Sequence, residues 1–344
     1  MGSKHPQCLN QQVGRPAWFT LPVDIVPIDC RARNPSTLGM TTSSPAPASP
    51  WTLSGKTCVI TGFTQGIGRV TATELARTGA RLLLVARDRD RGTAVLEAIK
   101  KESGNPHIEF LIADLSRMAD VRKLAADIQA RTDRLDVLIN NAGAMFMQRQ
   151  VTVDGHEMTF AVNHLAYFLL TTLLLDLIKG TAQTHGAARI INVASRAHKR
   201  AGQVPFDDLM HTRGYSGFPV YCRSKLANIL FTYELARRLE ASGVRNVTVN
   251  CLHPGVIGSG FGLNNGGLYA LLMKVAGPFM QTPEEGARTT IYLATSPDVS
   301  GITGTYFDKC QPKTSSRESQ DAGAAARLWQ VSEQLVGTAA ATGT

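Results

Sequence analysis

Thr57-Cys58-Val59-Ile60-Thr61-Gly62-Phe63-Thr64-Gln65-Gly66-Ile67-Gly68 is the stretch on which the fold turns. Thr57–Ile60 is an apolar run of strand length, and helical periodicity begins directly after Gly68. Between them the chain must turn sharply. Glycines allow a tight turn and let the backbone come close to a phosphate, while the helix N-terminus offers unpaired N–H groups and a positive dipole end. Glycines at this loose spacing also occur in ordinary turns. Placement between a first strand and a first helix is what makes Gly62, Thr64, Gln65, Gly66, Ile67 and Gly68 a candidate phosphate cradle.

Beyond this stretch the pattern repeats. Apolar runs appear at Arg81–Ala86, His107–Ala113, Leu135–Asn140, Ala188–Val193 and Asn246–Leu252, with Thr305–Phe307 as a possible last strand. Helical segments lie between them: Val70, Leu75 and Ala76 share one face of the first, and Val121, Leu124, Ala125 and Ile128 one face of a later one. Strands and helices alternating in this way predict an α/β domain with a parallel sheet covered by helices on both faces. Ligands of such sheets bind beyond the carboxyl ends of the strands, at the topological switch point. The domain is expected over residues 51–337, after a disordered arm at 1–50 rich in Pro, Ser and Thr from Asn34 to Pro50, and before a short tail at 338–344.

Composition narrows the function classes. Of 344 residues, 43% are hydrophobic, enough for a large core. No run of 18 apolar residues occurs, so no integral membrane segment is expected. The N-terminus lacks the order of a signal peptide, and a cytoplasmic protein is the expectation. The net charge of +9 comes without aromatic-rich basic clusters, so no nucleic-acid partner is expected. Six cysteines are scattered without a Cys-x-x-Cys pair, which points to reduced thiols and no metal.

Chemistry is expected where the apolar runs stop. The second ends at Ala86-Arg87-Asp88; Arg87 offers a planar fork to a phosphate, with Asp88 a competing acid one residue on. The third ends at Asp114-Leu115-Ser116, where Asp114 could accept a hydrogen bond from an adenine amino group and Ser116 could cap the next helix. The fourth ends at Asn140-Asn141-Ala142-Gly143, small residues that let the chain pass close to a ligand. Tyr221 and Lys225 are four apart on a helical stretch and so share a face. An ammonium near a phenol favours the phenolate, making a general acid/base suited to a carbonyl oxygen. Ser195 follows the fifth run, where its hydroxyl could hold a substrate oxygen, and Asn163 sits inside a helical segment that has little intrinsic use for it.

Together these residues resemble the short-chain dehydrogenase/reductase family over about Leu53 to Thr305. The match includes the glycine cradle, Asn140–Gly143, Asn163, Ser195, Tyr221 and Lys225, in the family's order. Within it the chain looks most like the retinol dehydrogenase branch, on Asn163-His164-Leu165, Ser195-Arg196-Ala197-His198, Phe206-Asp207-Asp208-Leu209, Ser224-Lys225-Leu226-Ala227-Asn228, His253-Pro254-Gly255-Val256 and Thr282-Pro283-Glu284-Glu285-Gly286-Ala287. Two positions depart from the branch: Ala194 stands where it has a first serine, and Ser259 where it has threonine.

The resemblance implies a single-domain Rossmann-type, doubly wound sheet of about seven strands. It implies Tyr221 as acid/base, Ser195 orienting a carbonyl, Lys225 holding the nicotinamide ribose and lowering the tyrosine pKa, and Asn163 anchoring a relay water. Pro254, Gly255, Val256 and Ser259 would flank the nicotinamide. Arg87 at the second strand end favours NADP(H) over NAD(H). Residues 257–280, which mix glycines with Phe261, Leu263, Leu271 and Leu272, are expected to form a substrate lid over a small lipophilic aldehyde, ketone or alcohol. Family members commonly pair into homodimers through helices such as Tyr221–Leu239. The alternatives are a non-catalytic NADP-binding regulatory or scaffold protein on the same fold, and a carbon–carbon double-bond reductase.

Overall fold

The computed structural model describes residues 51–255 and 281–338. The arm expected at 1–50, the lid expected at 257–280, Val256, Ser259 and residues 339–344 of the expected tail lie outside the described residues.

The glycine stretch joins β1 (Thr57–Thr61) to α1 (Gly66–Arg77). Then follow β2 (Arg81–Ala86), α2 (Arg89–Ser103), β3 (Ile108–Ile112), α3 (Met118–Gln129), β4 (Val137–Asn140), α4 (Met158–His185) and β5 (Ala188–Val193). The chain continues through α5 (Gly217–Ala241), β6 (Val247–His253), α6 (Pro283–Thr295), β7 (Thr305–Asp308), β8 (Gln311–Lys313) and α7 (Ala322–Val336). The sheet order is β3-β2-β1-β4-β5-β6-β7-β8. Strands β1 to β7 run parallel, and β8 pairs antiparallel with β7. This is a Rossmann-type doubly wound sheet, and its order reverses between β1 and β4. The eighth strand was not expected: Gln311-Pro312-Lys313 is exposed and carries no apolar pattern, and left-handed Lys309 and Cys310 form the turn that creates it.

Every residue of β1, β4, β5 and β6 is buried, as apolar runs covered on both faces require. Alternation along each strand divides them between two layers. Ile60, Leu82 and Leu84 pack with Leu75 of α1, Ile99 of α2 and Leu293 of α6. Val59, Leu83, Leu138 and Ile190 pack with Leu124 of α3, Phe168 of α4, Leu226 of α5 and Trp329 of α7. On α1 the buried face is carried by Ala72, Leu75 and Ala76, and Val70 is only half-buried. Helix α6 starts at a capping box in which Thr282 and Glu285 bond reciprocally, with Pro283 in its first turn.

Helix α4 is long and apolar enough to cross a bilayer by length and composition, yet 67% of that apolar window is buried inside the fold. It carries one π-helical turn, Ala161–Leu165. Helix α5, which includes the stretch expected to pair two subunits, is packed in this chain against α7: Trp329 stacks on Phe231 at 5.8 Å, and the Arg238 guanidinium lies 4.3 Å over Trp329. Cys58, Cys222 and Cys251 are buried free thiols.

Candidate active site

The reversal between β1 and β4 opens a cleft of about 720 Å³ at the carboxyl ends of the strands. Its phosphate end is built by close approach. Gly62 adopts φ +75° and its amide donates to the Val85 carbonyl at 2.8 Å. A Cβ on Gly62 would lie 2.8 Å from Ala142 Cα, and one on Gly68 would lie 2.0 Å from the Gly62 carbonyl oxygen. Asn141 clasps the turn from β4: its Nδ2 donates to the carbonyls of Thr61 at 2.9 Å and Gly62 at 3.0 Å. The Thr61 hydroxyl accepts from the amides of Asn141 and Ala142. Helix α1 starts at Gly66 (φ +54°) with no side-chain cap and no acidic residue in its first turn. Its free N–H groups and positive end therefore meet the cleft, and a dinucleotide pyrophosphate fits there.

At the adenosine end, Arg87 is exposed beside the cleft and makes no hydrogen bond or ion pair with another described residue. The neighbouring acid is committed elsewhere: Asp88 caps α2, its Oδ1 accepting from the Arg91 amide at 3.0 Å. Arg91 also lines the cleft, its Nη2 donating to Gln65 Oε1 at 2.6 Å. Sequence reading missed Arg91. Assigning Asp88 as an N-cap would have placed Arg91 at the third position of the helix, one turn from Arg87. Asp114 Oδ1 accepts from the Ser116 amide at 3.0 Å and hydroxyl at 2.8 Å. Ser116 therefore does not cap the next helix; the Met118 amide donates instead to Asp154 Oδ2 at 2.8 Å. Leu115 supplies an apolar wall.

At the other end, Ser195, Tyr221, Lys225, Gly143, Pro254 and Gly255 line the same cleft. Tyr221 and Lys225 lie on one face of α5, with the Lys225 Nζ 5.8 Å from the Tyr221 ring centroid. Lys225 is buried, Nζ donates to the Val193 carbonyl at 2.9 Å, and burial pushes the amine down to about 7. Ser195 is half-buried and caps a short 3-10 helix, Arg196–Arg200, its Oγ accepting from the Ala197 amide at 3.2 Å. The hydroxyl proton remains for a ligand oxygen.

Asn163 lies in the π turn of α4. Its Oδ1 accepts from the Ala144 amide at 2.8 Å, and its Nδ2 donates to the Ala144 carbonyl and the Ser224 hydroxyl, each at 2.9 Å. Both amide hydrogens are thus committed to protein, so a water could meet this side chain only at Oδ1. Gly143 keeps the space open: a Cβ there would lie 3.3 Å from Asn163 Oδ1 and 3.4 Å from Lys225 Nζ. Two groups near the site were not singled out from sequence. Tyr167, one turn beyond Asn163, donates to the Ala142 carbonyl at 2.7 Å. Phe146 reaches the cleft from the loop after β4.

Residues 56–265 match the short chain dehydrogenase family. The chain is 43% identical to human retinol dehydrogenase 13 over 292 residues, covering 83% of this chain and 86% of that protein. It is 42% identical to human retinol dehydrogenase 14 over 306 residues, covering 84% and 88%. Among solved structures, an uncharacterized protein from Mycobacterium paratuberculosis is 35% identical with a TM-score of 0.67, covering 84% of this chain and 96% of that one. The Pseudomonas aeruginosa RhlG/NADP active-site complex is 26% identical with a TM-score of 0.58, covering 76% and 97%.

Proposed function

This chain belongs to the short chain dehydrogenase family and is an NAD(P)-dependent oxidoreductase acting on CH–OH groups; from that premise we propose that it interconverts a lipophilic carbonyl compound and its alcohol with NADP(H), using Tyr221 as acid/base. The observation that carries the reading is the convergence of Ser195, Tyr221 and Lys225, from two separate elements, on the cleft that begins at the uncapped end of α1.

The first turn of α1, with Gly62, Thr64, Gln65, Gly66, Ile67 and Gly68, would hold the pyrophosphate. Arg87 and Arg91 would hold an adenosine 2′-phosphate, and the commitment of Asp88 to α2 favours the phosphorylated cofactor. Asp114 and Leu115 would hold the adenine. Asn141, Ala142, Gly143, Pro254, Gly255, Val256 and Ser259 would hold the nicotinamide nucleotide, together with Tyr221 and Lys225. When bound, the cofactor supplies or accepts the hydride. Ser195 donates a hydrogen bond to the substrate oxygen, and Tyr221 gives its proton to that oxygen in reduction or takes it in oxidation. Lys225 as an ammonium stabilises the phenolate. Asn163 fixes the Ala144 backbone beside this group. Phe146, Val162, Val193 and Ala194 line the cleft there, which suits an apolar substrate, as do relatives named as retinol dehydrogenases.

The test is NADPH oxidation with all-trans-retinal, nonanal and menadione, in the native protein and in Tyr221→Phe. Turnover in the variant should fall about 100- to 10,000-fold, with NADPH affinity unchanged. Full activity in Tyr221→Phe would refute the assignment. NADPH binding without turnover of any probe would favour the regulatory reading, and a saturated product would favour a double-bond reductase.

A further inference from the structure

His198 is buried at 1% exposure behind Ser195, and both of its ring nitrogens are engaged. Nδ1 lies 2.6 Å from the Ser195 carbonyl oxygen, and Nε2 lies 3.1 Å from the Ser316 amide nitrogen. A backbone amide can only donate, so Nε2 is the bare nitrogen and Nδ1 carries the hydrogen, which it gives to Ser195. The ring is neutral and in one tautomer, set edge-on against Tyr306 at 5.1 Å. Burial acts in the same direction, pushing the imidazole below its usual range.

The partner segment is itself anchored. Ser315 Oγ lies 2.8 Å from the Tyr233 hydroxyl and 2.7 Å from Ser319 Oγ. Tyr233 belongs to α5, the helix that carries Tyr221 and Lys225. A continuous set of contacts therefore runs from Ser195 through His198 to residues 315–316, and from there back to α5.

We propose that His198 is a positioning residue: with Ser315 and Ser316 it braces the Ser195 backbone to the helix bearing Tyr221, and so sets the gap in which the substrate oxygen sits. The segment that leads into α7 is then part of the catalytic apparatus. This inference rests on the reading of Ser195 and Tyr221 as the pair that meets the substrate oxygen. Its energetic basis is the steep dependence of turnover on placement, in which a shift of about 1 Å can cost about 100-fold.

Asparagine and glutamine separate the two halves of the bridge. An Asn amide nitrogen stands where Nδ1 does and can keep the bond to Ser195, while a Gln side chain reaches the Nε2 position and can keep only the bond to Ser316. Ser195→Ala, His198→Asn and His198→Gln are assayed with NADPH and whichever of nonanal and all-trans-retinal turns over. Ser195→Ala should lose turnover. Each variant breaks one half of the bridge, so His198→Asn and His198→Gln should both lose about 10- to 100-fold in kcat with little change in KM, NADPH affinity or Tm.

In ¹⁵N-histidine spectra of the unmodified protein, His198 should show the Nδ1-protonated tautomer. That measurement tests the bridge even where a variant fails to fold or no probe turns over. If Ser195→Ala retains full activity, the Ser195 role under the proposed function fails. If Ser195→Ala is inactive while either His198 variant keeps native kcat, or while their kcat falls only together with NADPH affinity and Tm, the bracing role is overturned. An Nε2-protonated ring overturns it as well.

Discussion

Gly68→Ala isolates the contact that makes the cofactor cradle. The helical backbone at Gly68 is open to any residue, so the substitution introduces no left-handed strain, only a methyl group. That methyl carbon would lie 2.0 Å from the Gly62 carbonyl oxygen and 2.6 Å from Asn141 Nδ2. Reaching ordinary contact requires the start of α1 to retreat from the β1 turn by about 1.4 Å. Both opposing groups are held, since Gly62 and Asn141 bond each other and Gly62 also bonds β2. Overpacking against such groups costs about 3 kcal/mol, which for a domain of this size lowers Tm by about 5 °C. The retreat also moves the first-turn N–H groups off the pyrophosphate, so the Kd for NADPH should rise at least about 10-fold, an affinity loss of about 1.4 kcal/mol.

Gly180→Ala is the matched control. This exposed glycine on α4 has nothing within 4 Å of a built Cβ, and alanine there should raise stability by about 0.5–1 kcal/mol. Thermal denaturation and NADPH fluorescence titration of the two variants make the comparison. Native Tm and native NADPH affinity in Gly68→Ala would show that the close approach of α1 to the turn is not what shapes the site.

Two further outcomes are expected. Arg87→Ala and Arg91→Ala should each raise the Kd for NADPH about 10- to 100-fold, the worth of a charge-assisted phosphate contact, and leave NADH binding unchanged; equal losses for both cofactors in parallel titrations would remove the 2′-phosphate role. Burial lowers the imidazole pKa of His164 to about 3 and of His253 to about 4, against about 6.5 in the unfolded chain. The stability they contribute is full above pH 6.5 and is lost as pH falls through the folded values. Each steepens the acid side of the unfolding curve by up to about 1.4 kcal/mol per pH unit. His164→Phe, which keeps a ring among Phe160, Phe168 and Phe231, should remove its share between pH 6 and 4 in urea titrations; an unaltered slope would contradict the assignment.

Local and periodic features of the chain were enough for the architecture. Apolar runs covered on both faces have one stable use in an alternating chain, so β1 to β7 were legible, as was the glycine turn, whose conformations few other residues adopt. Tyr221 and Lys225 were legible as a pair because helix geometry alone puts residues four apart on one face. What the tertiary structure decided were pairings between distant segments. Local pattern could have given the Asp88 cap, three residues from Arg91, but it did not reveal that Arg91 reaches Gln65 beside the cleft. Nor did it reveal that Asp154 rather than Ser116 meets the start of α3, or that Asn163 is committed to Ala144 and Ser224. The bridge from Ser195 through His198 to Ser316 spans 118 residues between its last two members. Hydrogen bonds of this kind depend on which polar groups the packed sheet and helices leave facing each other, and no period in the sequence records that.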